Sequence, residues 1–351
     1  MDQYSEVFKG LGEFPGKLYY IEIKSEVKHL INAPRRVPQS LHKELEKTLN
    51  EFVQLGIVFP VNNPIDWVNS LIIVKKPNGK LRIFLYPRNL NKEIKRVHYV
   101  ISYVGEIISR LEGKQCFSML DLKEGLIPLD KDSAELCTYN SPFGRYKFNR
   151  LPFDICTAPE IFQKKNQKLF GDIEGVEIYF YDLIITGKNK EERDKILLEV
   201  LDRAKENNIK FKPNKFQLRI KEVKYMGLLV SKDWVKADPS HVRAINELEK
   251  PTSKNDIKRL LGMVNFLSKF KPNVSAVTSP LRVLLKKDIE FQWNHEQETS
   301  FEEIKRLISS TPVLKVFNDS LSITIQCDIL KMGWVLVCCK RGILSHLHLG
   351  A

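Results

Sequence analysis

Apolar residues fall into two periods along the chain, and the switches between them mark its elements. Leu41, Leu45, Leu49 and Val53 recur at helical spacing, with Ser40 placed to cap and Gly56 placed to end a helix over 40–56. Apolar runs at Leu71-Ile72-Ile73-Val74 and Leu81-Arg82-Ile83-Phe84-Leu85 flank Pro77-Asn78-Gly79, the turn chemistry of a β-hairpin. Phe117, Met119 and Asp121 share one strand face, so an acid ends an apolar row. A second hairpin is predicted over 178–186, tight at Tyr181-Asp182 and closed by Gly187. A helix starts near Thr157 with Pro159 in its first turn. Another, over 191–207, turns Ile196, Leu197, Val200, Leu201 and Ala204 inward. Further helices are predicted over 256–270, on a stripe of Ile257, Leu260, Leu261, Val264 and Leu267, and over 296–309, with a strand over 323–328. Before residue 37 periodicity is weak, and Ala33-Pro34-Arg35-Arg36-Val37-Pro38 resists helix, so the start reads as an extended basic arm.

Composition adds class and partner. The 351 residues suggest two or three domains, and 43% hydrophobic with 28% charged residues is ordinary for a soluble globular protein. The net charge of +13 favours a polyanion, nucleic acid first, since Lys and Arg on phosphates release counterions; lysines scattered for solubility are the alternative. Six cysteines, at 116, 137, 156, 327, 338 and 339, have no metal-ligand spacing and read as free thiols in a reducing compartment. No apolar run reaches spanning length and the N-terminus is no signal peptide, so no membrane partner and an intracellular location, cytoplasmic or nuclear, are expected.

An acid held among apolar strand residues is costly unless something pairs with it. Asp121 and Asp182 on neighbouring strands would suit Mg²⁺, which takes one or two carboxylates plus substrate phosphates. Taken alone, the two fragments are described more simply as a strand end and a turn.

The larger set of blocks goes further. Tyr179-Phe180-Tyr181-Asp182 resembles the Tyr-x-Asp-Asp hairpin of reverse transcriptases. Around it, in order, stand Asp66-Trp67-Val68-Asn69-Ser70, Lys75-Lys76-Pro77-Asn78-Gly79-Lys80-Leu81-Arg82, the run 117–122, Ser141-Pro142-Phe143-Gly144-Arg145-Tyr146, Leu151-Pro152-Phe153 and Ala158-Pro159-Glu160-Ile161-Phe162-Gln163. Tyr225-Met226-Gly227 and Leu261-Gly262-Met263-Val264-Asn265-Phe266 continue the match. From about Phe8 to Lys340 the chain resembles the reverse transcriptase of gypsy-type long-terminal-repeat retrotransposons.

The resemblance implies an α+β right-hand polymerase of fingers, palm and thumb with an antiparallel palm sheet, followed by an incomplete RNase H-like α/β domain. The implied divisions are the arm 1–36, fingers and palm 37–231, thumb and connection helices 232–288, and an RNase H-like start, truncated, over 289–351. It implies RNA or DNA primer–template and dNTPs as partners and Mg²⁺, or Mn²⁺, as cofactor on Asp121 and Asp182. It assigns nucleotide contact to Lys75, Lys76, Arg82, Leu126, Phe153 and Gln163, proton donation to Lys215, and the primer grip to Tyr225, Met226 and Gly227. Arginine suits that task because its planar fork meets phosphate oxygens bidentately. A charged edge strand and a solvated loop lysine remain the plain readings of the same cations. Asp328 matches the first metal-binding acid of RNase H, but that activity needs several carboxylates, so none is expected.

Several positions depart from the pattern. Tyr181 replaces the first acid of the hairpin, and a phenol stays neutral at pH 7. Two residues are missing from the strand after Asp121, a shift of roughly 6–7 Å that leaves Leu126 where an aromatic gate excludes ribose. Asp154 replaces a glycine, and Tyr86 an aspartate. Weakened metal binding and impaired two-metal nucleotidyl transfer are therefore expected, with a non-catalytic nucleic-acid-binding protein or a non-functional relic as the alternatives.

Overall fold

The computed structural model describes residues 2–27, 30–76, 79–111, 113–123, 126–232, 234–267, 274–309, 314–315, 324–330, 333–340 and 343–350, with side chains up to residue 309 except at 2, 104, 266 and 267. The chain forms two units, one of residues 1–102 and 118–218 and the other of 103–117 and 219–351. Among the described residues no helix is long and apolar enough to cross a membrane.

In the first unit, helix Gln39–Gln54 buries Leu45 and Leu49. It begins ahead of the Ser40 cap the sequence suggests: Pro38 holds the cap position without a side-chain bond. It ends in a left-handed Gly56 (φ 66°) whose N–H donates to the Val53 carbonyl at 3.0 Å. Strands Ser70–Lys75 and Leu81–Tyr86 pair antiparallel, with Lys75 opposite Leu81. Their alternation buries Leu81, Ile83 and Leu85 and leaves Arg82 and Phe84 on the other face. Beyond the strands, Lys76 donates its N–H to the Lys80 carbonyl at 2.9 Å; Pro77 and Asn78 lie outside the described residues.

The sheet that carries the two acids runs in the order Gln217–Ile220, Cys116–Asp121, Asp182–Gly187, Val176–Tyr179. Asp182 pairs with Tyr179, so only Phe180 and Tyr181 make the turn between the last two strands. Helix Lys190–Glu206 covers this sheet, capped by the Asn189 side chain and burying Leu197, Val200, Leu201 and Ala204. It also buries Arg193 completely; the guanidinium donates to Ser118 Oγ at 3.2 Å and pairs with Asp194 Oδ1 at 2.5 Å. The opening stretch is part of this core: Asp2–Phe8 forms a 3₁₀ helix where an extended arm is expected, and Tyr4, Val7, Phe14 and Ile21 are buried. Backbone bonds strap it down, from Phe14 N to Leu126 O at 2.8 Å and from Tyr19 N to Pro128 O at 2.9 Å.

In the second unit, Glu222–Tyr225, Leu228–Ser231, Trp234–Ala237 and Leu314–Lys315 form an antiparallel sheet. Helices Pro239–Asn246, Lys254–Leu267, Val274–Val283 and His295–Ser309 pack on one another, and Lys254–Leu267 buries Ile257, Leu260 and Val264. Residues 268–270, the predicted end of that helix, lie outside the described residues. Thr324–Leu330, Gly333–Lys340 and Ile343–Gly350 make a separate antiparallel sheet.

Candidate active site

Asp121 ends its strand 4% exposed, and both carboxylate oxygens are paired with lysine: Oδ1 with Lys212 Nζ at 2.8 Å and Oδ2 with Lys215 Nζ at 2.5 Å. The backbone explains the pairing. Lys212 N donates to the Asp121 carbonyl at 2.8 Å, Lys123 N donates to Lys210 O at 2.9 Å, and Leu122 bridges Phe211 antiparallel. The 3₁₀ turn Pro213–Lys215 then carries the chain round, so side chains three apart meet one carboxylate from the same side.

Asp182 opens the adjacent strand, half-buried. Burial, first, and then the negative charge of Asp121 push its pKa up to about 6, against the pull of Lys215 and Lys212. Lys212 is the cation sequence reasoning missed. Its only sequence signal is the Lys212-Pro213-Asn214-Lys215 spacing, which acquires meaning once the backbone bond to Asp121 is known.

The turn that leads into Asp182 is strained and held. Phe180 has φ 51°, a left-handed conformation unfavourable for a bulky residue. Its N–H donates to Gln163 Oε1 at 2.7 Å and its carbonyl accepts from Asn166 Nδ2 at 2.5 Å, while Gln163 Nε2 donates to Ile178 O at 3.0 Å. Gln163 is thus 4% exposed and spent on the hairpin backbone, which corrects its sequence assignment as a nucleotide contact. Tyr181 turns its ring to Phe153 and Phe162, with centroids 4.6 and 4.5 Å away. Its own carbonyl accepts from Leu122 N at 2.8 Å, so residue 181 stays beside the Asp121 strand although its ring packs into this aromatic cluster.

The hairpin Ser70–Tyr86 supplies the other cations. Lys75 and Lys76 are exposed; Arg82 is half-buried, its guanidinium 4.7 Å from the Phe84 ring and 6.0 Å from the Phe153 ring. A cavity of about 360 Å³ is lined by Lys76, Lys80, Arg82, Arg150, Phe153 and Asp154, among others. Burial holds the Asp154 carboxyl above the usual range, with Arg82 pulling the other way. Tyr86 is exposed and its ring lies 4.6 Å from the Arg35 guanidinium.

Leu126 corrects a second assignment. It is fully buried, its carbonyl accepts the Phe14 N–H, and a side chain on Gly12 would meet its Cδ2, so it packs under the N-terminal strap. In the second unit, Met226 (φ 50°) and Gly227 (φ 72°) form the tight turn after Tyr225. The Asp328 side chain lies outside the described residues.

Residues 74–230 match the reverse transcriptase (RNA-dependent DNA polymerase) family. The chain carries a reverse transcriptase domain. That domain contains Asp121, Asp182, Lys212 and Lys215. The Tf2-3 and Tf2-7 transposon polyproteins of Schizosaccharomyces pombe are 27% and 26% identical to the chain over 288 residues. Each match takes in 80% of this chain and 22% of the polyprotein, so the chain spans about a fifth of these relatives. Among solved structures, a foamy viral protease–reverse transcriptase with double-stranded DNA matches with TM-score 0.89 at 18% identity, covering 100% of this chain and 63% of that one. The foamy viral enzyme with an RNA/DNA hybrid matches with TM-score 0.86 at 18% identity, covering 100% and 49%. The fold is that of retroviral reverse transcriptases, with the two acids on the palm sheet.

Reverse transcriptases generally use divalent metal. The residues present fit one such ion: Asp121 and Asp182 are two hard oxygen donors, which suffices for Mg²⁺ when substrate phosphates complete the shell. They do not fit a pair of ions, because Tyr181 faces the aromatic cluster and no group of three or more His, Cys, Asp or Glu that could hold a metal collects among the described residues.

Proposed function

We propose that the chain is a retroelement-derived RNA-directed DNA polymerase that binds primer–template and dNTPs and transfers nucleotides poorly. The observation that carries this reading is the Asp121–Asp182 pair on a palm-type sheet with Tyr181 packed away from it. Lys75, Lys76 and Arg82, on one hairpin beside a cavity, are suited to grip the triphosphate, Arg82 through its fork and the lysines as point charges. Phe153, stacked on Phe162 with planes 10° apart, offers an apolar wall beside Arg82. Asp121 and Asp182 would hold one Mg²⁺ or Mn²⁺, which when bound supplies positive charge to the phosphoryl oxygens. Lys215 Nζ, at the same carboxylate and largely exposed, is placed to hold a proton for a departing oxyanion. Losing one anionic ligand should lower the rate on the order of a thousandfold.

A second reading, binding without synthesis, is favoured by the net charge of +13 together with the neutralised Asp121. Fluorescence anisotropy on an RNA/DNA primer–template, run beside extension of the same primer in Mg²⁺ and in Mn²⁺, decides between them. The proposal expects binding plus slow extension that Asp121→Asn abolishes. Binding with no extension in either ion overturns it in favour of the second reading.

A further inference from the structure

We propose that Lys212 is a tethered counter-cation of Asp121 that sets how weakly the site takes a divalent ion. This rests on the reading of Asp121 and Asp182 as the metal-holding acids. Three observations carry it. First, each Asp121 oxygen faces an ammonium: Lys212 and Lys215 pair with one each, at 2.8 and 2.5 Å. An ion reaching this carboxylate competes with both ammoniums for its charge.

Second, the two lysines are not equivalent. Lys215 is 61% exposed and swings into water at small cost, whereas Lys212 is 28% exposed and its own N–H is bonded to the Asp121 carbonyl at 2.8 Å. The backbone returns the Lys212 side chain to the acid however often it leaves. Third, the charges already balance. Two carboxylates face two ammoniums, and Tyr181, where an acid would leave a net negative charge, contributes none. A divalent ion entering this cluster meets fixed positive charge at contact distance.

The consequence is specific to Lys212. Removing one unit charge near 4 Å changes the affinity for a divalent ion by roughly thirtyfold at the dielectric of bulk water, and a gain of at least about fivefold is expected once salt screening is allowed for. The test is Mn²⁺ binding to the full chain at pH 7.5, read by electron paramagnetic resonance of the free ion, with circular dichroism reporting the fold. Lys212→Met and Lys212→Gln are expected to bind Mn²⁺ at least about fivefold more tightly than the native chain, Lys215→Met to change it less, and Lys212→Arg to leave it unchanged. Adding Asp121→Asn to Lys212→Gln should abolish the gain. If both neutral variants at 212 fold and bind Mn²⁺ no more tightly, while Asp121→Asn still weakens binding, the inference is wrong and the metal-site reading stands. If neither Asp121→Asn nor Asp182→Asn alters Mn²⁺ binding in any background, both fall together.

Discussion

At the scale of single residues, the site is decided by what each polar group pairs with. Gln163 makes two bonds to the 178–180 backbone. Gln163→Ala should leave a buried N–H and a buried carbonyl unmet and destabilise by about 1–3 kcal/mol, measurable as a lower urea midpoint at unchanged slope. Tyr181 contributes a ring rather than a ligand. Tyr181→Phe should therefore leave both melting temperature and primer extension as they are. Asp182 gives a pH signature. Its folded pKa of about 6 lies above the unfolded value near 4, so the folded state holds the proton more tightly. Stability contributed by that proton is present at acid pH and is lost as pH rises through about 6. In chelator-treated protein, Asp182→Asn should flatten the melting-temperature profile between pH 4 and 7 and raise its upper end; an unchanged profile would contradict the burial argument. The strand positions of Asp121 and Asp182 and the turn at Tyr181 were legible in sequence, because strand alternation and hairpin spacing are local. Gln163 and Leu126 were misread for one reason: a polar or apolar side chain looks the same whether it lines a cleft or meets a backbone brought in by distant pairing.

Among elements, turns and backbone bridges do the positioning. The two-residue turn at Phe180-Tyr181 is a strained conformation held by helix Ala158–Phe170, so helix and hairpin act as one body. The bridge between 121–123 and 210–212 brings Lys212 to the acid, with Lys215 and Asp121 separated by 94 positions in sequence. No periodicity encodes such a contact, which is why helices and hairpins were foreseen and the lysine clasp was not. The second unit repeats the turn problem at Met226-Gly227, both with positive φ. Asparagine tolerates that conformation better than methionine, so Met226→Asn should raise the melting temperature by an amount worth up to about 1 kcal/mol. A lower melting temperature would mean that the Met226 side chain is needed for packing.

For the molecule as a whole, the reverse transcriptase domain and the charge point to the same class of partner. For the proposed binding to a duplex, a net charge of +13 makes counterion release the governing term. The logarithm of duplex affinity should fall linearly with the logarithm of salt concentration, with a steep negative slope, and Arg82→Ala should affect dNTP-dependent ternary affinity more than binary duplex affinity. The ordered blocks made the fold readable from end to end. What they could not convey is that the opening stretch starts as a 3₁₀ helix over Asp2–Phe8 and continues as a strap whose Phe14 and Ile21 complete the first core. Burial of an extended segment depends on the groove that receives it, and that groove is assembled from distant strands.

The central claim is that the palm sheet is intact and the chemistry is limited by the missing acid at 181. It is tested most directly by single-nucleotide primer extension under single-turnover conditions, comparing the native chain with Tyr181→Asp. The substitution removes ring packing against Phe153 and Phe162 and should lower the melting temperature, yet it places a carboxylate on a backbone already bonded to Leu122 beside Asp121. The account predicts a rate at least about tenfold higher for Tyr181→Asp despite the lost stability. A folded Tyr181→Asp protein that extends no faster than the native chain would contradict it.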